Sequence, residues 1–151
     1  MTAPEPARSA EQRKRDVLDR LRRDDDAWVA TASPGGVPTL VPLSFLWDDG
    51  TLVMATRRTN PTAVNVTPSG PIRITLGLTR DVVLIEGDAT IVEGPDLPAA
   101  TGDAFAAKFP WDPRHHSAWV YLRIAPHTVR AWRETNELAG RDLMLGGTWL
   151  V

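Results

Sequence analysis

"VPTLVPLSFLWDDGTLVMATRRTNPTAVNV", residues 37–66, carries the reading of the fold. Alternation over 37–47 puts Val37, Val41, Leu43, Phe45 and Trp47 on one face, the period of a half-buried strand. "DDG" is a tight-turn signal and "TLVMAT" (51–56) returns, so residues 37–56 read as a β-hairpin. Pro38 and Pro42 each remove a ladder donor, which argues against a strand fully paired on both sides. Beyond the hairpin, Asn60 suits an N-cap and Pro61 the first helical position. A short helix from Pro61 to about Thr67 follows, and "PSG" ends it.

Strands continue on either side. "AWVATAS" (27–33) precedes a "PGG" turn. "IRITLGL" (72–78) sets Ile72, Ile74, Leu76 and Leu78 against Arg73 and Thr75. In "VVLIEGDATIV" (82–92), Val83, Ile85, Ala89 and Ile91 face in while Glu86 and Asp88 face out. "WVYLRIAP" (119–126) and "HTVRAW" (127–132) read as two further strands. Val17, Leu18 and Leu21 recur at helical spacing, so an amphipathic helix runs from near Ser9 to near Arg23. Alanine-rich residues 96–108 read as another helix, and no internal repeat is present. Residues 1–8 form an expected disordered tail, and 9–151 one domain. The expected class is mainly β (α+β): a six- to seven-stranded antiparallel barrel with an N-terminal helix and short connecting helices.

Composition narrows the function classes. The 151 residues carry a formal charge of −2, which gives no electrostatic case for nucleic acid or an acidic membrane. With no cysteine, disulfides, thiolate metal sites and cysteine nucleophiles are excluded. No apolar run approaches a membrane span, and the N-terminus lacks a signal peptide's apolar region, so a cytoplasmic location is the expectation. All basic residues but Lys14 and Lys108 are arginine, which suits a GC-rich genome as well as any guanidinium chemistry.

Two segments could carry chemistry. In "TRRTNPT" (56–62), Arg57 and Arg58 and the hydroxyls of Thr56, Thr59 and Thr62 surround a helix N-terminus, a donor set suited to phosphate. On spacing alone the same residues read rather as a capped helix with two solvated arginines, since no glycine-rich phosphate loop accompanies them. In the last strand, Val129 and Ala131 face in and Thr128, Arg130 and Trp132 face out. An outward Trp calls for a cover, either a second subunit, a ligand ring or a terminal segment. His115 and His116 are adjacent in a loop and lack metal-ligand spacing, so no metal site is expected. Ser44 and Ser117 lack a hydrolase elbow.

The ordered set "VATASPGGVPTLVPLSFLWDDGTLVMATRRTNPTAVNV", "RDVVLIEGDATIVE", "YLRIAPHTVRAW" and "GRDL" resembles the pyridoxamine 5'-phosphate oxidase-like split barrels that bind FMN. Within them it is similar to the flavin/deazaflavin oxidoreductase branch, over about residues 12–150. The resemblance implies a split β-barrel homodimer with two cofactor sites at the interface. It sets backbone groups near Pro42, Leu43 and Ser44 along the flavin ring. It assigns the ribityl phosphate to the segment holding Thr56, Arg57, Arg58, Thr59, Asn60 and Thr62. It places Trp132 at a cofactor-contacting position, and Arg141 near a later arginine of the oxidase, displaced by about one residue. "ELAGRDL" (137–143) lacks the histidine of the oxidase's Arg-Leu-His-Asp-Arg run, so pyridoxamine phosphate oxidation is not expected.

The implied activity is hydride transfer from reduced FMN or coenzyme F-420 to a small conjugated acceptor. Solvent, Arg130, Arg133 or Glu134 would manage the proton. The long anionic tail of F-420 would need a basic track, for which Arg57, Arg58, Arg73 and Arg80 are available. The alternative is a non-catalytic binder that sequesters a cofactor or haem, with His115, His116 and His127 as the available haem ligands.

Overall fold

The structure is a computed structural model and describes residues 5–151. The first half of the expected tail, residues 1–4, lies outside the described residues. Helix α1 (Ala10–Arg23) begins where the Ser9 hydroxyl accepts from the Gln12 N–H at 3.1 Å, and it buries Val17 and Leu21. Strands β1 (Asp26–Ala32), β2 (Pro38–Asp48) and β3 (Thr51–Arg57) follow, then helix α2 (Pro61–Val66). Strands β4 (Ser69–Thr75) and β5 (Val82–Val92) lead to helix α3 (Ala99–Lys108). Strand β6 (Trp119–Trp132) and the short β7 (Asp142–Leu145) and β8 (Thr148–Trp149) close the chain.

All strand pairs are antiparallel, in the order β3-β2-β1-β4-β5-β6-β7-β8, and β3 also pairs with β6. Strands β1 to β6 therefore form a closed barrel, with β7 and β8 as an extension beside β6. Inward residues such as Val29, Phe45, Met54, Ile74, Ile85 and Leu122 fill it. Strand β3 is buried on both faces. Leu52 and Met54 point into the barrel, whereas Val53 and Ala55 join a second cluster with Leu97, Phe105 and Tyr121 under α3. Phe105 stands edge-on to Tyr121 at 5.5 Å between centroids.

The structure redraws several expected boundaries. The strand expected over 72–78 spans Ser69–Thr75 instead, taking in the serine and glycine of the "PSG" expected only to end α2. Its final leucine, Leu78, is 66% exposed. Residues 94–96 form a separate 3-10 turn, so the third helix starts at Ala99. The two strands expected over 119–132 are one. Gly87 faces Pro126 and Glu86 faces Thr128, which leaves His127 as the extra residue of a β-bulge. The bulge lets a proline sit inside a paired strand. A Cβ on Gly87 would lie 2.3 Å from the Ala125 carbonyl oxygen, so glycine alone fits this approach.

Strands β7 and β8 were not expected. They are joined through Gly146 and Gly147, at φ +58° and +78°, and the Gly147 N–H donates to the His127 carbonyl at 2.9 Å. No helix among the described residues is long and apolar enough to cross a membrane.

Candidate functional site

Strand β2 changes partners midway. Residues 38–44 pair with β1 and residues 45–48 with β3. From Phe45 and Met54 outward, β2 and β3 splay apart, so Pro42–Ser44 and Ala55–Arg57 flank an opening, and α2 contacts both strands there.

Hydrogen-bond parity defines what β2 offers to that opening. The Phe45 N–H donates to the Asp25 carbonyl and the Ser33 N–H to the Val37 carbonyl, so odd-numbered residues bond toward β1. Even-numbered residues turn their backbone groups to the unpaired edge. The missing donors of Pro38 and Pro42 thus fall where no strand needs them, and the Pro42 carbonyl and Ser44 N–H face the opening. Leu43 spends its backbone on β1. The Ser44 hydroxyl donates to Asp26 at 2.8 Å.

The branch point is pinned from α3. Lys108 Nζ donates to the carbonyls of Asp24 (2.6 Å) and Phe45 (2.8 Å) and lies over the rings of Phe45 and Phe109. Burial holds its ammonium pKa below the usual lysine value despite nearby Asp25, Asp24 and Asp26.

At the end of β3, the arginines are engaged differently. Arg57 lies over the Trp119 ring at 5.2 Å, and Trp111 meets the same ring edge-on at 4.7 Å. Arg58 Nη1 and Nη2 fork onto the two Glu93 oxygens at 2.6 and 2.7 Å. Its Nε and Nη2 also donate to the Ser117 carbonyl at 3.3 and 3.0 Å. The Arg58 hydrogen bonds hold the Glu93 carboxyl below the usual glutamate range. Thr59 and Asn60 are exposed, whereas Thr56 and Thr62 are buried.

The helix terminus is less open than the sequence suggests. Asn60 occupies the N-cap position, but its side chain donates to Thr56 Oγ1 at 2.9 Å rather than capping α2. Its carbonyl already accepts from the Ala63 and Val64 N–H groups.

Trp132 and Arg141 lie elsewhere. Arg57 pairs with Trp119 at the start of β6, and Trp132 pairs with Val82 at its end. Thirteen residues of strand separate them, about 40 Å along the chain. Trp132 is half-buried and outward-facing, as its alternation predicts. Arg141 is exposed, donates to the Leu138 carbonyl at 2.9 Å, and accepts from the Ala131 N–H, so it neighbours the Trp132 end.

The basic track is not continuous either. Arg80 pairs with Glu134 at that far end and Arg73 lies beside Glu86. Of the residues expected to handle a proton, Arg130 is held by Asp142 and Glu86, and Arg133 by Asp16 and Asp81. His115 and His116 line a cavity with Glu93 and Trp119, while His127 stands apart beside Asp88. Among the described residues no group of three or more His, Asp or Glu is placed to hold a metal ion.

Three features were missed by sequence reasoning. Glu93 and Ser117 meet Arg58 from 35 and 59 residues away, and no local pattern signals such a pairing. Trp28 is 44% exposed opposite Pro42 and Thr75. Its outward parity between Ala27 and Val29 was the available signal.

A model of the family described as pyridoxamine 5'-phosphate oxidase matches residues 14–133. No curated protein matches the chain. Among solved structures, the conserved hypothetical protein Rv2991 from Mycobacterium tuberculosis is 21% identical, with a TM-score of 0.64 over 90% of this chain and 91% of its own. A Listeria innocua protein provisionally named a pyridoxamine 5'-phosphate oxidase is 15% identical, with a TM-score of 0.64 over 80% of this chain and 98% of its own. An F420 reductase is 17% identical, with a TM-score of 0.59 over 84% of this chain and 98% of its own. At these identities the similarity is one of fold.

Proposed function

Because the chain belongs to the pyridoxamine 5'-phosphate oxidase family, we propose that it is an FMN- or F-420-dependent oxidoreductase passing hydride to a small conjugated acceptor. The observation that carries this reading is the opening between β2 and β3. It is edged on one side by the Pro42–Ser44 stretch of β2, past the end of its pairing with β3, and on the other by β3 as it runs to Arg57 and Arg58, whose side chains turn to Trp119, Glu93 and Ser117. A planar ring with polar edges and an anionic tail suits that pairing of features. The F420 reductase among the structural neighbours supports the deazaflavin option.

When bound, the reduced ring would supply the hydride. The protein's contribution is binding and orientation. The Pro42 carbonyl and Ser44 N–H would hold the ring edge, Lys108 keeps the β2 branch point in place, and Arg58 would meet the phosphate. Trp132 and Arg141 would complete the site from a second copy, because β6 holds them far from Arg58 within one chain. The protein would thus act as a homodimer with two sites. Among the described residues the buried acid is Glu137, which lies at the Trp132 end and is held by Arg8, so solvent would be the proton source for the acceptor.

Absorbance titration with FMN and with reduced F-420 tests the reading. Saturable binding of one of them is expected at concentrations on the order of tens of micromolar. Binding of neither would end it. Tight binding with no turnover across a panel of conjugated electrophiles would favour a sequestering protein instead.

A further inference from the structure

Glu93 forms a wall shared by two cavities. On one side Arg58, Val64, Pro68, Ile91 and Val120 help enclose about 540 Å³. On the other, Arg114, His115, His116, Ser117 and Trp119 help enclose about 450 Å³. We propose that Glu93 is a specificity-determining residue: it occupies the Arg58 fork in place of a ligand's anion, and a phosphoryl group must exchange with it to bind. This deepens the cofactor reading above and rests on it for the identity of the ligand.

Three features carry the inference. The two Glu93 oxygens reach the two terminal nitrogens of Arg58 at 2.6 and 2.7 Å, a forked arrangement that two phosphate oxygens would copy. The Ser117 carbonyl holds the same guanidinium from another direction, so Arg58 stays positioned when Glu93 leaves. The backbone beside Glu93 packs closely: a Cβ on Gly94 would lie 2.0 Å from the Arg114 carbonyl oxygen, so rotation of the exposed Glu93 side chain is the simplest route of exchange.

The exchange has a low cost and a chemical bias. Both side chains of the pair are 46% exposed, so the released carboxylate returns to water. A neutral ligand has nothing to offer Arg58 in return. A phosphodiester replaces one negative charge with one, and a dianionic monoester exceeds it. Glu93 therefore acts as a threshold on ligand charge, and its departure opens the Arg58 cavity toward the one lined by His115 and His116.

Calorimetric titration of wild type, Glu93→Gln and Glu93→Ala with FMN, riboflavin and inorganic phosphate tests this. Both variants should bind FMN and phosphate about fivefold more tightly than wild type, with riboflavin affinity unchanged. Melting temperatures should match wild type, and Arg58→Gln added to Glu93→Gln should remove the gain. Unchanged or weaker binding of FMN and phosphate in both variants would overturn the proposal, as would an equal gain for riboflavin. If wild type binds neither flavin, the cofactor reading fails separately, and the phosphate arm still decides the role of Glu93.

Discussion

Arg57 and Arg58 are neighbours in sequence with different partners, and this separates their expected effects. Arg57 stacks on Trp119, while Arg58 presents a fork to Glu93. Arg58→Ala should weaken FMN by roughly 10- to 100-fold and riboflavin little, the scale of a lost charge-assisted hydrogen bond. Arg57→Ala should cost only about threefold, the scale of an exposed cation–π contact. Quenching of flavin fluorescence on titration measures both, and equal losses would contradict the assignment. The arginine pair was legible in the sequence because it interrupts an apolar strand before a Pro-started helix. Its partners were not, since Glu93 and Ser117 arrive from other elements. Gly87 shows the same limit: its alternation reads as an ordinary strand position, yet the bulge brings the Ala125 carbonyl against it. Gly87→Ala should lower unfolding free energy by about 1–3 kcal/mol in urea denaturation, as overpacking does.

At the scale of elements, α1 is tied to the end of the chain by buried ions. Arg8 donates to Glu137 at 2.8, 3.0 and 2.9 Å, and Arg13 donates to the carbonyls of Ala131, Glu137 and Gly140. The helix itself was legible from Val17, Leu18 and Leu21. Its buried arginines were not, because a charged residue on a helix reads as solvated until its acceptors are known. The Arg8 hydrogen bonds, working against burial, lower the Glu137 pKa from 4.5 to about 2. The folded-state value is depressed, so this stabilisation is complete above about pH 4.5 and is lost as pH falls toward about 2. It amounts to something on the order of 3 kcal/mol. Glu137→Gln should remove that part of the acid sensitivity and lower stability at pH 7 by about 3–5 kcal/mol, since it leaves Arg8 short of its charge partner. Chemical denaturation at pH 7 and at pH 3 measures both effects, and a variant as acid-sensitive as wild type would count against the assignment. The β7–β8 hairpin was missed although Gly146-Gly147 is a hairpin signal, because its strands are only four and two residues long.

For the whole molecule, barrel closure was legible from strand count and one-faced alternation, whereas the distance of Trp132 and Arg141 from Arg58 within one chain was not. The Arg57–Arg58 end and the Trp132 end lie at opposite ends of β6, and closure through β3 and β6 prevents them from folding together. The outer face of β2 and β1 and the turn after β4 leave Trp28 44%, Leu40 64% and Leu78 66% exposed around a groove of about 370 Å³ that also touches Val82, the strand partner of Trp132. An apolar patch of this kind on a sheet face is what a second copy would cover. If the site is built from two copies, Leu40→Arg should convert a dimer to a monomer by light scattering. It should also abolish FMN or F-420 binding, with the melting transition kept, because Leu40 points away from the barrel core. Trp132→Ala should weaken the ligand while leaving the dimer intact. A wild-type monomer at micromolar concentration, or a monomeric Leu40→Arg protein with full ligand affinity, would show instead that one chain holds the ligand unaided. In that outcome the unpaired edge at Pro42–Ser44 and the Arg58 fork would have to supply all the binding, and Trp132 would stand outside the site.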